Sequence, residues 1–336
     1  MEGNCKTTGI GSVPFTDVKK GMELVKTLDI PFWPQFPQID TREGMYLQFS
    51  EGLPGLKIEK DKVFVDSEDF EKNAEKFFEL VVSDDLGKLK LSKKYSKGFY
   101  ELLRSKQKFD FVKGQITGPI SFGLQVCDQN KKPILYNELM MDALVKNLLA
   151  KAKFQVQELN KMSNNLIMFI DEPFMSAFGS AMISLSREQV ISYLNEILNN
   201  LDCIKGIHCC SNTDWSVLLD ANIEIISFDA YEYFDKLLIY TDKLKKFLND
   251  GKILAWGIVP TNKSDLNKET ADKLVEKLEL QVKELSKKTN IKAEQIFKQS
   301  LITPSCGTGS LEENDAIKVF DLTKAVSLKI REKYSL

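Results

Sequence analysis

The sequence predicts an α/β protein, a (β/α)8 TIM barrel formed by a single domain over residues 1–336. Short apolar runs alternate with longer amphipathic stretches, eight such runs occur, and the length accommodates eight strand–helix units with an insertion. Apolar runs of this kind are typical of parallel strands buried between crossover helices. An open, doubly wound sheet would give a similar alternation and is the alternative fold.

The predicted elements follow this alternation in order. The eight strands cover residues 7–13, 30–36, 111–117, 166–172, 204–210, 223–229, 252–259 and 300–306. The clearest connecting helices have apolar residues at helical spacing behind a capping residue, and they cover 67–81, 137–162, 186–201 and 267–288. Two alternating runs around a polar turn at 55–66 predict a β-hairpin inserted after the second strand.

Charge and composition narrow the function classes. The 46 basic and 48 acidic residues nearly cancel, and no long basic run suggests a nucleic-acid interface. The N-terminal residues lack the pattern of a signal peptide, and no apolar stretch is long enough to cross a bilayer. We therefore expect a cytoplasmic protein without nucleic-acid or membrane partners, in which the six cysteines are thiols or metal ligands.

Chemically versatile side chains collect at the predicted strand ends. In a (β/α)8 barrel, functional groups lie where the strands end and the βα loops begin, whereas the opposite face serves stability. The strand ends carry Gly11-Ser12, Thr117-Gly118-Pro119, Asp171-Glu172-Pro173, His208-Cys209-Cys210, Asp229 and Ser305-Cys306-Gly307. Packing alone does not account for this distribution, so we expect the functional site at this face.

The fifth and eighth strands supply a candidate metal site. Alternation along a strand points His208 and Cys210 to one side and Cys209 to the other. In a closed barrel, Cys306 at the end of the eighth strand can face that pair across the mouth. One imidazole and two thiolates suit Zn²⁺, and catalytic zinc sites keep three protein ligands and one open position. Buried cysteines are also common as small apolar residues, but the third cysteine favours zinc.

Other polar residues near the strand ends allow more than one interpretation. Asp229 could be a fourth metal ligand that yields to a substrate thiol, or it could cap the following helix. Asp171 could cap a turn or bind a substrate ammonium group, and we favour the substrate role. Gln35, Glu43 and Glu51 are weaker candidates around the second strand, with exposure to solvent as their default interpretation.

Five motifs, in order along the chain, carry a resemblance to a known family. They are TTGIGSVP, GQITGP, MFIDEP, HCC and TPSCG. With them the chain resembles the C-terminal catalytic barrel of the cobalamin-independent methionine synthase family, in particular the short core type. That family lies within the superfamily that also contains uroporphyrinogen decarboxylase.

The resemblance implies a zinc-dependent methyltransferase that methylates the thiol of homocysteine and forms methionine. It implies that His208, Cys210 and Cys306 bind zinc and that Asp229 stands where the family has a glutamate ligand. It also implies a catalytic role for one acidic residue, because Asp171 matches the family aspartate that contacts the homocysteine amine.

The resemblance also implies how the rest of the substrate is held. Ile10, Gly11 and Ser12 would hold its carboxylate end. Gln35 falls near a family glutamate that also meets the amine, although the residue type differs.

Two departures from the family concern the methyl donor. Full-length members carry a second, N-terminal barrel that helps to bind folate. They also have a histidine after the seventh strand that acts as an acid, whereas residues 255–264 of this chain contain no histidine. Displacing a folate nitrogen requires protonation, but a methylated corrinoid releases its cobalt without a proton. We therefore expect a methylcobamide as methyl donor, either free or on a corrinoid protein.

The sequence is also compatible with two alternative functions. A related zinc methyltransferase could act on another thiol such as coenzyme M, because the wider superfamily shares the barrel and the cysteine pattern. A non-catalytic zinc-binding barrel could instead partner a corrinoid protein. Decarboxylation is disfavoured because the N-terminal arginine-rich motif of the decarboxylase is absent.

Overall fold

The computed structural model describes residues 1–59, 62–180 and 183–336. Its strands, numbered in chain order, are β1 (Lys6–Thr7), β2 (Leu56–Glu59), β3 (Lys62–Val65), β4 (Val112–Thr117), β5 (Cys127–Asp128), β6 (Leu166–Asp171), β7 (Ile204–Cys209), β8 (Ile225–Phe228), β9 (Ile253–Val259) and β10 (Ser300–Pro304).

The helices connect and cover these strands. They are α1 (Val18–Val25), α2 (Met45–Ser50), α3 (Ser67–Val82), α4 (Lys97–Arg104), α5 (Pro119–Gln125), α6 (Glu138–Leu159), α7 (Arg187–Leu198), α8 (Trp215–Asp220), α9 (Ala230–Leu237), α10 (Thr241–Asn249), α11 (Lys263–Leu266), α12 (Ala271–Thr289), α13 (Ala293–Lys298) and α14 (Glu313–Tyr334). Short 3-10 turns cover Thr41–Glu43, Ile134–Tyr136, Pro173–Ala177 and Leu238–Tyr240. Within the described ranges, none of these helices has the length and apolar character needed to span a membrane.

A curled sheet of seven parallel strands forms the centre of the fold. Its order is β1-β10-β9-β8-β7-β6-β4, so the first and last strands of the chain are neighbours. This order lacks the reversal that a doubly wound sheet requires, which excludes the alternative fold. Alternate strand residues such as Phe169, Ile225 and Leu301 form a small apolar cluster on the concave face, and the larger core lies between the sheet and the helices.

The predicted second strand is not a strand. Residues 30–36, called here the proline segment, form the isolated bridges Ser12 to Gln35 and Phe32 to Lys113, but no strand ladder with the described residues. The physical reason is that Pro31 and Pro34 lack the backbone N–H that a ladder requires. The prediction of eight regular strands was therefore wrong at this element, and the predicted first strand, residues 7–13, is a strand only at Lys6–Thr7.

Backbone contacts nevertheless place the proline segment between the two edge strands of the sheet. The N–H of Ile30 donates to the carbonyl of Thr7 in β1 at 2.9 Å, and the N–H of Lys113 in β4 donates to the carbonyl of Pro31 at 2.8 Å. Phe32, Trp33 and Phe36 are fully buried. Side-chain packing therefore supplements the sparse backbone hydrogen bonds of the segment.

The predicted hairpin and the four clearest predicted helices are confirmed. Strands β2 and β3 pair antiparallel, with residues 60–61 between them outside the described residues, and β5 adds a third strand beside β3. The helices α3, α6, α7 and α12 begin behind the side-chain caps Asp66, Asn137, Ser186 and Thr270. Each cap accepts a hydrogen bond from a backbone N–H that the first turn leaves without a partner.

Candidate functional site

Three side chains from distant parts of the chain meet at the carboxyl ends of the strands. His208 lies in β7, Cys210 follows the end of that strand directly, and Cys306 lies two residues beyond β10. One ligand atom from each of the three lies within 4.8 Å of the other two. We call this group the ligand trio.

The imidazole of His208 is oriented by its neighbour in the sheet. Its Nδ1 lies 2.9 Å from the hydroxyl oxygen of Ser227 in β8, whereas its Nε2 is buried and has no hydrogen-bond partner among the described residues. A buried nitrogen without a partner is unfavourable unless a ligand supplies one. With Nδ1–H donating to Ser227, the lone pair of Nε2 is available to a cation.

A hydrogen bond links the two sulfurs of the ligand trio. The hydrogen bond from the Cys306 thiol holds the pKa of Cys210 well below its usual range, and His208 acts in the same direction against burial. The same hydrogen bond and burial raise the pKa of Cys306. Cysteine must lose its thiol proton to bind a metal, so a cation that binds both sulfurs would displace the proton between them. An imidazole nitrogen and two sulfurs fit Zn²⁺.

Cys209 stands apart from the ligand trio, as strand alternation predicts. Its thiol is fully buried and donates to the carbonyl of Ser211 at 3.4 Å. Burial raises the pKa of Cys209 far above its usual range, so this sulfur remains protonated. It serves as a small apolar residue against the helices.

Asp229 caps a helix. Its carboxylate accepts a hydrogen bond from the N–H of Glu232 at 2.9 Å at the start of α9. Burial raises the pKa of Asp229 to about 6, although the hydrogen bond from Glu232 opposes this shift. The carboxylate is not part of the ligand trio, so its role as a fourth ligand stays a prediction.

A pocket of about 460 Å³ opens beside the ligand trio. The five residues that the family resemblance implies for substrate binding line it, whereas the weaker candidates Glu43 and Glu51 do not. The lining residues are Ile10, Gly11, Ser12, Gln35, Pro37, Gln38, Met45, Asp171, Pro173, His208, Cys210, Cys306, Gly307, Gly309 and Ser310.

Asp171 presents a carboxylate to this pocket. It ends β6 directly beside His208 of β7, and its Oδ1 is buried without a hydrogen-bond partner among the described residues. Burial raises the pKa of Asp171, and the electrostatic influence of His208 and Lys113 opposes this shift. A buried carboxylate oxygen without a partner is suited to receive a charged donor from a ligand.

Lys113 supplies a buried positive charge on the concave face of the sheet. Its ammonium nitrogen lies 5.0 Å and 4.8 Å from the ring centres of Phe32 and Phe169, and it donates to Gln115 Oε1 at 3.3 Å. Burial lowers the pKa of Lys113 to about 8, against the attraction of Asp171. The aromatic faces and the amide oxygen partly replace the water that a lysine loses on burial.

Glu172 has a structural role, unlike Asp171. It is fully buried, and its carboxylate accepts hydrogen bonds from the N–H of Ile120 at 3.0 Å and from the N–H and hydroxyl of Ser121 at 2.8 and 2.6 Å. Burial raises the pKa of Glu172 to about 7 against these hydrogen bonds. The side chain thus joins the end of β6 to the start of α5.

Gly118 leaves the space that Glu172 occupies, and we expect Gly118→Ala to lower the free energy of unfolding by about 1–3 kcal/mol. A Cβ at this position would lie 2.2 Å from the Cδ of the buried carboxylate. Chemical denaturation checks this value. Gly87→Ala is the control, because its nearest contact is the mobile end of Asp85 at 3.2 Å. Equal stability of Gly118→Ala and the unmodified protein would contradict the predicted packing.

The interpretation of Glu43 and Gln35 as solvent-exposed was wrong. Glu43 is fully buried and Gln35 is 5% exposed, and both belong to a hydrogen-bonded group that reaches the pocket. Glu51 is half-buried and accepts a hydrogen bond from the N–H of Ser92 at 2.9 Å. No spacing rule would have shown this, because these residues lie in short turns or in the proline segment rather than on a periodic element.

Comparisons with known proteins bear on the fold. No protein-family model matches the sequence, and no curated protein matches it. A B12-independent methionine synthase from Shewanella sp. W3-18-1, solved with selenomethionine, is similar with a TM-score of 0.60 and 14% identity over 98% of this chain and 98% of that chain. A methyltransferase from Methanosarcina mazei has a TM-score of 0.55 and 11% identity over 99% and 94%. At these identities, the similarity shows that the chain has the fold of methionine synthase-like barrels.

Proposed function

We propose that this protein is a zinc-dependent methyltransferase that transfers a methyl group from a methylated corrinoid to the thiol of homocysteine and forms methionine. The observation that carries the proposal is the ligand trio, in which two sulfurs lie near an imidazole whose buried Nε2 has no hydrogen-bond partner among the described residues. The pocket of about 460 Å³ beside it supports a small thiol as the substrate.

The residues that would hold zinc are His208, Cys210 and Cys306. A zinc ion bound there lowers the pKa of a substrate thiol, ordinarily about 8.5, and so supplies a thiolate at neutral pH. The carboxylate of Asp171 binds the substrate amine and thereby aims the sulfur. The chain contributes mainly orientation and a site that excludes water.

The remaining contacts orient the other end of the substrate. Ile10, Gly11 and Ser12 receive the carboxylate, and Gln35 accepts a hydrogen bond from the amine. The substrate sulfur forms its new bond to the methyl carbon as the carbon–cobalt bond of the donor breaks, and the cobalt keeps the electron pair.

The choice of donor rests on the absence of an acid. His208 is the single histidine in the sequence, and its role in the ligand trio leaves no imidazole to protonate a folate nitrogen. A corrinoid leaving group requires no proton. The proposal therefore includes a corrinoid protein or free methylcobamide as partner.

The two similar structures support the same reaction class. One is a methionine synthase described with selenomethionine bound, and the other is described as a methyltransferase. The proposal also includes a closed, single-domain (β/α)8 barrel in which the proline segment takes the place of the eighth strand, and a cytoplasmic location.

The test is a methyl-transfer assay with zinc-loaded protein. Methylcobalamin is mixed with homocysteine, coenzyme M or another small thiol, and the cobalt spectrum is followed while methionine is measured. We expect loss of the methyl–cobalt spectrum with homocysteine and equal formation of methionine. Activity confined to methyltetrahydrofolate would reject the proposed donor, and activity confined to coenzyme M would reject the proposed acceptor.

A further inference from the structure

The side-chain amide of Gln35 is hydrogen-bonded to the side-chain amide of Gln48. Its Nε2 donates to Oε1 of Gln48 in α2 at 2.8 Å. Its own Oε1 lies 3.3 Å from the position that a Cβ on Gly11 would occupy, at the wall of the pocket. In this orientation Gln35 offers the pocket an acceptor.

The groups around the NH2 of Gln48 are hydrogen-bond acceptors, and they determine how its amide is oriented. This side chain is fully buried, and its Nε2 donates to the backbone carbonyl of Tyr95 at 2.7 Å and to Oε2 of Glu43 at 3.4 Å. The shorter bond, to Tyr95, is the stronger of the two. Because a carbonyl only accepts, the NH2 of Gln48 must face Tyr95 and its oxygen must face Gln35.

Three donor groups surround the buried carboxylate of Glu43. The N–H of Lys97 donates to Oε1 at 2.6 Å, the N–H of Phe36 donates to Oε2 at 3.4 Å, and the Lys97 ammonium lies 3.7 Å from Oε1. Both oxygens are thus occupied by donors, which leaves Glu43 as an acceptor for Gln48.

We propose that Gln48 is a positioning residue that fixes the amide oxygen of Gln35 toward the pocket and so makes the pocket select ligands that carry a cationic amine. This inference rests on the proposed function, since it assigns the amine end of the same substrate. Gln35 Oε1 and Asp171 Oδ1 supply two acceptors to one pocket. A reversed Gln35 amide would instead direct its NH2 group at the ligand and repel an ammonium ion.

The experiment measures binding, so it does not depend on a methyl donor. Titration calorimetry compares zinc-loaded protein with methionine and with 4-(methylthio)butanoate, which lacks the amine. We expect the unmodified protein to prefer methionine and Gln48→Met to reduce that preference about tenfold, because a hydrogen bond to a charged group is lost. The affinity for the amine-free ligand should change little.

Two further variants separate positioning from local damage. Gln48→Glu should retain the preference for methionine. Two carboxyl groups as close as those at positions 43 and 48 share a proton, so an oxygen of the new side chain still accepts from the NH2 of Gln35. Ser50→Ala removes a buried hydroxyl in the same helix that donates to the carbonyl of Leu47 at 2.8 Å. This variant should also retain the preference for methionine.

The outcomes distinguish this inference from the proposed function. An unchanged preference in Gln48→Met, or an equal loss of affinity for both ligands, would overturn the positioning role without contradicting the proposed methyl transfer. A protein that binds neither ligand would overturn the methionine site itself. A loss of preference in Gln48→Met with retention in Gln48→Glu supports the inference.

Discussion

Replacing Cys306 with serine should abolish stoichiometric zinc binding and methyl transfer together. Loss of a direct ligand should exceed the roughly 10–100-fold loss of metal affinity or activity that changes in outer-shell partners cause. The variant also removes the thiol that hydrogen-bonds to Cys210. Elemental analysis after dialysis gives the zinc content, and the methylcobalamin assay gives the turnover.

Cys209→Ser is the matched control for this variant. It makes the same chemical change one residue from the ligand trio, but on a side chain that donates to the carbonyl of Ser211 and faces away from the pocket. A serine hydroxyl can make the same hydrogen bond. Full zinc content and turnover in Cys306→Ser, with its fold intact by circular dichroism, would refute the proposed metal centre. Loss of zinc without loss of turnover would leave the metal structural.

Asp171→Asn should lower kcat/KM for homocysteine by about 100-fold, because removing one partner of a buried charge pair costs roughly 2–5 kcal/mol. The variant keeps the shape of the side chain but removes the charge opposite the substrate ammonium. The loss should appear mainly in KM, since the amine is held in the ground state as well as during the reaction. Steady-state kinetics with methylcobalamin measure both parameters.

The control for Asp171→Asn is a substrate without the amine. Turnover of 4-mercaptobutanoate should change by less than about threefold, because no ammonium is present to lose its partner. Zinc content should equal that of the unmodified protein. If both thiols lose activity equally, Asp171 supports the metal centre or the fold rather than the amine.

The fold was predictable from the sequence wherever an element is periodic and capped. The helices α6 and α12 combine helical spacing with Asn137 and Thr270 as caps; both exist as predicted, although α12 begins four residues later than the predicted 267–288. The proline segment was not predictable as irregular from its apolar residues, because its aromatic side chains are buried like those of a strand. Its prolines contained the missing information, since they remove backbone donors.

The site was predictable in composition but not in its geometry. Leu301 belongs to the concave-face cluster, so strict alternation along β10 would direct Thr303 and Ser305, rather than Cys306, to the same side. The pairing of β10 with β9 shifts between Thr303 and Pro304, and the strand ends there. Irregular backbone beyond the strand therefore allows Cys306 to reach the pocket.

The hydrogen-bonded residues behind Gln35 were the part of the site that the sequence predicted least well. Glu43 and Gln48 lie on a 3-10 turn and a six-residue helix, where no hydrophobic period indicates burial. A charged residue is rarely buried without partners, so exposure was the reasonable default. The partners of Glu43 include the distant Lys97, which only the folded chain brings close.

The proline segment also affects how the protein tolerates substitutions. The strands of the sheet are held by continuous backbone pairing as well as by packing, whereas this stretch has few backbone hydrogen bonds and relies more on its buried rings. Changes at Trp33, which lies outside the pocket, should therefore be felt at Gln35 two residues away. The side of the pocket formed by the proline segment should therefore tolerate fewer substitutions than the side formed by the regular strands.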